Sequence, residues 1–143
     1  SRAALDRSGT GPALLVGRRP DLESVADDTI AGVPVRRYAP HGAAGGTIVF
    51  IHGGGWMLGS LTSHDILAAS IAARTRRQVV AVDYRLAPEH PYPAGLDDCL
   101  AVTRALALTG TVAVAGDSAA SSAGRRERHS STLSTCSWSS HTT

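Results

Sequence analysis

Ser118 stands in Gly116-Asp117-Ser118-Ala119, directly after the apolar run Thr111-Val112-Ala113-Val114-Ala115. A serine hydroxyl is a poor nucleophile unless it is exposed, oriented and deprotonated by a base. A tight strand-to-helix turn lifts such a hydroxyl above a sheet edge, and it needs small neighbours because the backbone passes close by. Gly116, two residues before Ser118, meets that demand. Ala120 stands where the pattern Gly-x-Ser-x-Gly has its second glycine. Taken alone, the tripeptide also fits an ordinary turn serine.

His52-Gly53-Gly54-Gly55-Trp56 follows a second apolar run, Thr47-Ile48-Val49-Phe50-Ile51. Three successive glycines can turn their N–H groups toward one point with no side chain in the way. That suits a developing oxyanion, where losing one donor costs about 2.7–4 kcal/mol of transition-state stabilisation. A flexible turn or a phosphate loop are the other readings. Neither G-x-x-x-x-G-K-[ST] nor G-x-G-x-x-G occurs here, which sets nucleotide binding aside. Trp56 could wall an acyl pocket or simply pack the loop. A third stretch runs from Asp83 to Ala94 through Pro88, Pro91 and Pro93. Its opposite charges, Arg85 and Glu89, read as an ion pair holding the loop. His90 is tempting as a base, but it precedes the serine in a proline-pinned loop, and a structural role is the better reading.

These stretches need elements to hold them. Val33 to Tyr38 alternates as a strand, bounded by Gly32-Val33-Pro34 and Pro40. Thr47 to Ile51, Gln78 to Asp83 and Thr111 to Ala115 are short runs, apolar on both faces, as central parallel strands are. Between them, Thr62 and Asp65 form a capping-box signature for a helix with Leu67, Ala68, Ile71, Ala72 and Thr75 on one face. A second helix is expected from about Ala94 to Leu108, with Leu96, Cys99, Leu100 and Leu106 inward. Strand, helix, strand, helix, strand implies right-handed crossovers and a parallel sheet. Ligands bind beyond the carboxyl ends of such strands, where the glycine run and the serine turn both fall.

Composition bounds the rest. A chain of 143 residues suits one domain and can bury a real core. The net charge of +2 is too small to indicate a nucleic-acid partner. Arg74, Arg76 and Arg77, and Arg125, Arg126 and Arg128, interleave with no aromatics and read as solvated surface. Cys99 and Cys136 form neither a metal-spaced motif nor a disulfide framework, and Cys99 fits a small core position. No apolar run approaches the roughly 20 residues of a membrane span. No secretory signal pattern is present, so a cytoplasmic location is the default expectation. Ser1 is not an initiator methionine, which leaves room for a longer N-terminus. Oligomeric state is left open.

His52–Trp56 (HGGGW), Asp83–Ala94 (DYRLAPEHPYPA) and Gly116–Ala119 (GDSA), in that order, resemble the hormone-sensitive-lipase-like family of esterases and lipases. The resemblance covers about Gly46 to Ala119. It implies the N-terminal half of an α/β-hydrolase fold, a mostly parallel sheet with flanking helices. It implies Ser118 as the nucleophile, with an oxyanion hole from two of the Gly53, Gly54 and Gly55 amides plus the Ala119 amide. It implies that His52 braces that loop and that no cofactor is required. The expected partner is a small-molecule carboxylic ester, typically of short to medium acyl chain, cleaved through an acyl-enzyme.

The sequence then departs from the family, which continues as GDSAGG and a buried apolar helix. Here Ala120 leads into Ser121-Ser122-Ala123-Gly124-Arg125-Arg126, and unpaired arginines under a sheet are very costly. From Ser121 to Thr143, 12 of 23 residues are serine or threonine, a composition that suits disorder. The organisation expected is a short polar, cap-like segment over 1–24, a partial α/β-hydrolase domain over 25–120 and a disordered tail over 121–143. In this fold the triad follows the chain order serine, acid, histidine. Beyond Ser118 stand only Glu127, His129 and His141, all too near in sequence to cross further strands and return. The triad's acid and histidine are therefore expected to be lacking. A non-catalytic, truncated or frame-shifted product is the competing reading, and the other two frames of the nucleotide sequence after Ala119 test it.

Overall fold

The computed structural model describes residues 18–118 and 136–137. Ala119, most of the expected tail and the first 17 residues lie outside the described residues. The elements run β1 (Ser24–Ile30), β2 (Val33–Ala39), β3 (Thr47–Ile51), α1 (Asp65–Thr75), β4 (Gln78–Val82), α2 (Ala94–Ala107), β5 (Val112–Gly116) and β6 (Cys136–Ser137). They form an α/β architecture around one sheet of order β1-β2-β4-β3-β5-β6. Its centre, β4-β3-β5, is parallel, and β1, β2 and β6 join antiparallel.

The three central strands are short β-branched runs because both of their faces are covered. On β3 and β4, Ile48, Phe50, Val79 and Ala81 pack with Ala68, Ala69 and Ala72 of α1. The alternate residues Val49, Val80 and Val82 pack with Cys99, Val102 and Leu106 of α2. This is the period-two alternation of a strand, with a helix on each side. The alanine face of α1 lets that helix lie close to the sheet, and Phe50 and Tyr38 fill the interface. Cys99 is a free, buried core thiol whose pKa burial pushes up to about 12.

Several sequence expectations need correction. β1 was not anticipated. Its Ser-Val-Ala-Asp-Asp-Thr-Ile segment is largely exposed and lacks the apolar pattern of the other strands. It exists because Ala31 (φ 51°) and Gly32 (φ 80°) form a tight two-residue turn that folds it onto β2. Asp27 and Asp28 then accept hydrogen bonds from Arg36 and Arg37 across the hairpin, at 2.6 Å each. The reciprocal turn before α1 is made by Ser60 and Ser63 rather than by Thr62 and Asp65. The Ser60 N–H donates to the Ser63 hydroxyl at 2.9 Å, and the Ser63 N–H to the Ser60 hydroxyl at 3.1 Å. The helix itself begins at Asp65 without a side-chain cap. Leu67 and Leu100, expected inward, are exposed, while Ala69 and Val102 take the buried positions. Cys136–Ser137, inside the segment expected to be disordered, pair with β5.

Phe50 is fully buried at the centre of the α1 face. Phe50→Ala is expected to lower the unfolding free energy by about 3–5 kcal/mol. Urea denaturation should show a lower midpoint with an unchanged slope. A loss under about 1 kcal/mol would contradict this packing.

Candidate active site

β3 lies between β4 and β5, so sheet pairing alone brings the three motif-bearing loops to one edge. The β3–β5 ladder ends with Ile51 opposite Gly116. Just beyond, Gly53 comes against both Asp117 and Ser118. The chain steps from β4 on one side of β3 to β5 on the other, which opens a crevice at the strand ends. The approach there is very close. A Cβ added to Gly53 would lie 2.9 Å from the Ser118 Cβ and 3.0 Å from Asp117 Oδ1. Only glycine fits between the serine turn and β3.

Each peptide of the glycine run is held by the side away from its free N–H. The Gly53 carbonyl accepts from His52 Nδ1 at 2.9 Å, which assigns the proton to that nitrogen. Because C=O and N–H of one planar peptide point in opposite directions, that bond orients the Gly54 N–H. The Gly54 carbonyl accepts from the Met57 and Leu58 N–H groups at 3.2 and 3.0 Å, which orients the Gly55 N–H likewise. Gly53 differs from the expectation that grouped it with the oxyanion donors. Its own N–H donates to Asp117 Oδ1 and is already spent.

A column of stacked rings supports this loop from below. His52 stacks on Tyr84 at 4.4 Å and on His64 at 5.2 Å. The Tyr84 hydroxyl donates to the His52 carbonyl at 2.7 Å. Burial pulls the His52 pKa down from its ordinary value and pushes the Tyr84 phenol up, so both are neutral near pH 7. Gly59 closes over His52 with φ 96°, and a Cβ there would sit 2.4 Å from its Nδ1.

The proline-rich loop is tied down by Arg85, but where the sequence suggested a pair with Glu89 the structure gives it the carboxylate of Asp98 on α2. Arg85 Nη2 and Nε donate to its two oxygens at 2.8 and 2.9 Å, and the Arg85 backbone N–H adds a third bond at 2.9 Å. Trp56 packs its ring against Tyr84 and accepts a backbone bond from Ala87 at 2.9 Å. On its outer side a cavity of about 380 Å³ is lined by Trp56, Arg85, Ala87, His90, Tyr92 and Leu96, among others. Trp56 lines it, and neither Ser118 nor the three glycines do. Among the described residues no group of three or more His, Cys, Asp or Glu could hold a metal ion. No helix among them is long and apolar enough to cross a membrane.

This arrangement matches known proteins. Residues 48–121 match the model of the alpha/beta hydrolase fold family. The chain is 45% identical over 129 residues to the carboxylesterase NlhH of Mycobacterium tuberculosis, covering 83% of this chain and 40% of that protein. This chain belongs to the hormone-sensitive-lipase-like α/β-hydrolases. The carboxylic ester hydrolase LipN of the same organism is 44% identical over 109 residues, covering 66% of this chain and 29% of LipN. Among solved structures, a hormone-sensitive lipase from a metagenome library superposes with a TM-score of 0.70 at 36% identity, covering 83% of this chain and 41% of that one. A Pyrobaculum calidifontis esterase gives 0.73 at 33% identity, with coverages of 83% and 44%. The chain therefore spans about two-fifths of the length of NlhH and of these structures.

Two residues of this site were missed in the sequence. Asp117 was read only as part of the serine turn, and His64 was not singled out. They lie 53 positions apart and meet at 3.1 Å. Only the adjacency of Asp117 to Ser118 could have drawn attention to either.

Two outcomes follow from this geometry. Gly59→Ala forces a methyl into the His52 ring at a left-handed φ, and should cost about 1–3 kcal/mol. A melting temperature within 1 °C of wild type, by roughly the usual scaling, would refute the packing. The second concerns acid. Burial alone would raise the Asp98 pKa, but the bonds from the Arg85 side chain and N–H, with its charge, outweigh it and hold the carboxyl below its ordinary value. The stabilisation is then complete above about pH 4 and lost as pH falls through the lower folded value. Asp98→Asn should flatten the acid limb of a stability-against-pH curve. An unchanged limb would assign it to other carboxylates.

Proposed function

We propose that this chain carries the nucleophile and oxyanion donors of a carboxylic ester hydrolase. The observation that carries this reading is the approach of Gly53 to the Ser118 Cβ, which sets the glycine run against the serine turn. Ser118 Oγ attacks the ester carbonyl carbon, and the carbonyl oxygen becomes an oxyanion. The Gly54 and Gly55 amides, with that of Ala119, receive it, while His52 braces the loop. A base outside these residues takes the Oγ proton and passes it to the departing alkoxide, which leaves as the alcohol, and water then hydrolyses the acyl-enzyme to release the acid. No step calls for a cofactor. The names of NlhH and LipN, both ester hydrolases, support the substrate class.

The base that takes the Ser118 proton is not part of this set. The sequence beyond Ala119 lacks the family's continuation, and that favours a second reading, a non-catalytic product that keeps the scaffold without turnover.

Hydrolysis of p-nitrophenyl butyrate and labelling by a fluorophosphonate separate the two. The hydrolase reading expects one phosphonyl adduct, located by mass spectrometry on Ser118, and turnover reduced about 10³-fold or more by Ser118→Ala. Equal turnover in Ser118→Ala, or label on another residue, would overturn Ser118. A wild-type chain with neither label nor turnover would establish the non-catalytic reading.

A further inference from the structure

We infer that Asp117 and His64 are a pair of positioning residues, a clamp that keeps the Gly54 and Gly55 amides aimed at the carbonyl Ser118 attacks. The inference rests on the reading of Ser118 as nucleophile and deepens it. Asp117 is adjacent to Ser118 in sequence, yet its carboxylate turns toward β3 rather than toward a substrate. Oδ1 accepts the Gly53 N–H, and Oδ2 lies 3.1 Å from His64 Nε2. The Gly53 residue is thereby gripped at both ends, by Asp117 at its N–H and by His52 at its carbonyl. The carbonyl grip orients the Gly54 N–H, and the N–H grip fixes how far the run stands from the nucleophile turn.

His64 makes the clamp rigid. Its Nδ1 lies 2.9 Å from the Ser63 hydroxyl, and Ser63 is tied into the reciprocal turn with Ser60. A carboxylate only accepts, so Nε2 carries the proton toward Asp117, while Nδ1 lies against the Ser63 hydroxyl, which itself donates to the Ser60 carbonyl at 3.0 Å. Its ring also stacks on His52. The clamp thus runs from the turn preceding α1, through His64 and Asp117, to the peptide before Gly53. Two neighbouring segments, 52–55 and 60–64, and the distant 116–118 close on one point. Neither side chain has a free role at the reacting carbonyl: both Asp117 oxygens and both His64 nitrogens are engaged.

Donors aimed at an oxyanion act in the transition state more than in substrate binding, so loosening them lowers kcat and leaves KM alone. Asp117→Ala should reduce kcat for p-nitrophenyl butyrate by about 10²-fold, the scale of a lost oxyanion donor, with KM changed less than about two-fold. Asp117→Asn keeps an acceptor for the Gly53 N–H, and His64 can shift its proton to Nδ1, where the Ser63 hydroxyl accepts it. This variant should recover to within about ten-fold of wild type, below the cost of losing a donor outright. In a ¹⁵N–¹H spectrum the Gly53 amide proton should lie downfield in wild type, move upfield in Asp117→Ala and stay near its place in Asp117→Asn. Should Asp117→Ala fail to fold, His64→Gln serves as the second variant, with a smaller fall in kcat at constant KM.

The clamp is overturned if Asp117→Ala keeps kcat within two-fold of wild type, or if Asp117→Asn is as impaired as Asp117→Ala. A rise in KM alone would equally reject it. Ser118→Ala, run alongside, tests the underlying reading separately. If that variant keeps wild-type turnover, the nucleophile is elsewhere, whatever the Asp117 variants do.

Discussion

The site depends on one steric constraint, the space between Gly53 and the Ser118 Cβ. Two parallel strands in register deliver their next residues to the same place, and β3 and β5 deliver a glycine loop and a serine turn. A side chain at position 53 would push them apart, since its first carbon would already lie 2.9 Å from Ser118. Glycine is required here for proximity, and not because its backbone is left-handed. The remainder of the fold serves to keep this register from slipping. The alternation of β3 and β4 residues between the α1 and α2 faces does so, because a shift of one residue would turn every core side chain to the wrong face.

Above the sheet, rigidity comes from polar groups whose bonds are all satisfied. A net contribution of about 1 kcal/mol is usual for one hydrogen bond, but a buried group left without a partner costs more. The His52–Gly53 turn buries an imidazole, a phenol and several peptide groups, and among the described residues no buried side-chain polar atom lacks a partner. Loss of any member leaves another unsatisfied, so the loop has one good arrangement. That suits a set of donors that must be in place before charge develops, since donors that reorganise during the reaction stabilise it less.

How much of this was legible in the sequence follows from the range of each signal. The runs Thr47–Ile51, Gln78–Val82 and Val112–Gly116 were readable because a strand covered on both faces must be apolar throughout. Their order with the helices then gave the parallel core and put the motifs at its carboxyl edge. β1 was not readable: it is held by a hairpin turn and by pairing with β2, neither of which demands apolar residues. The inward faces of the helices were half readable. Leu67 and Leu100 have the composition of core residues, but α1 approaches the sheet on alanines and α2 turns Val102 inward, and helix rotation is set by the partner surface. The Ser60–Ser63 turn, the Arg85–Asp98 pair and the Asp117–His64 contact were invisible because each depends on where distant or irregular backbone comes to lie.

The two histidines near the serine turn show why holding a loop and accepting a proton are different tasks. A general base needs a ring nitrogen free to take the serine proton and a pKa near the working pH. His64 has one nitrogen on Ser63 and the other on Asp117. His52 gives its Nδ1 proton to Gly53, and burial disfavours the charged form that proton abstraction would create. Both rings strengthen the scaffold through the same features that make them poor bases. Under the proposed role of Ser118, its proton would go to a group other than His52 or His64. An oxyanion site can be complete in its rigid parts while the proton acceptor is supplied separately, because the two need nothing from each other except a shared position over Ser118.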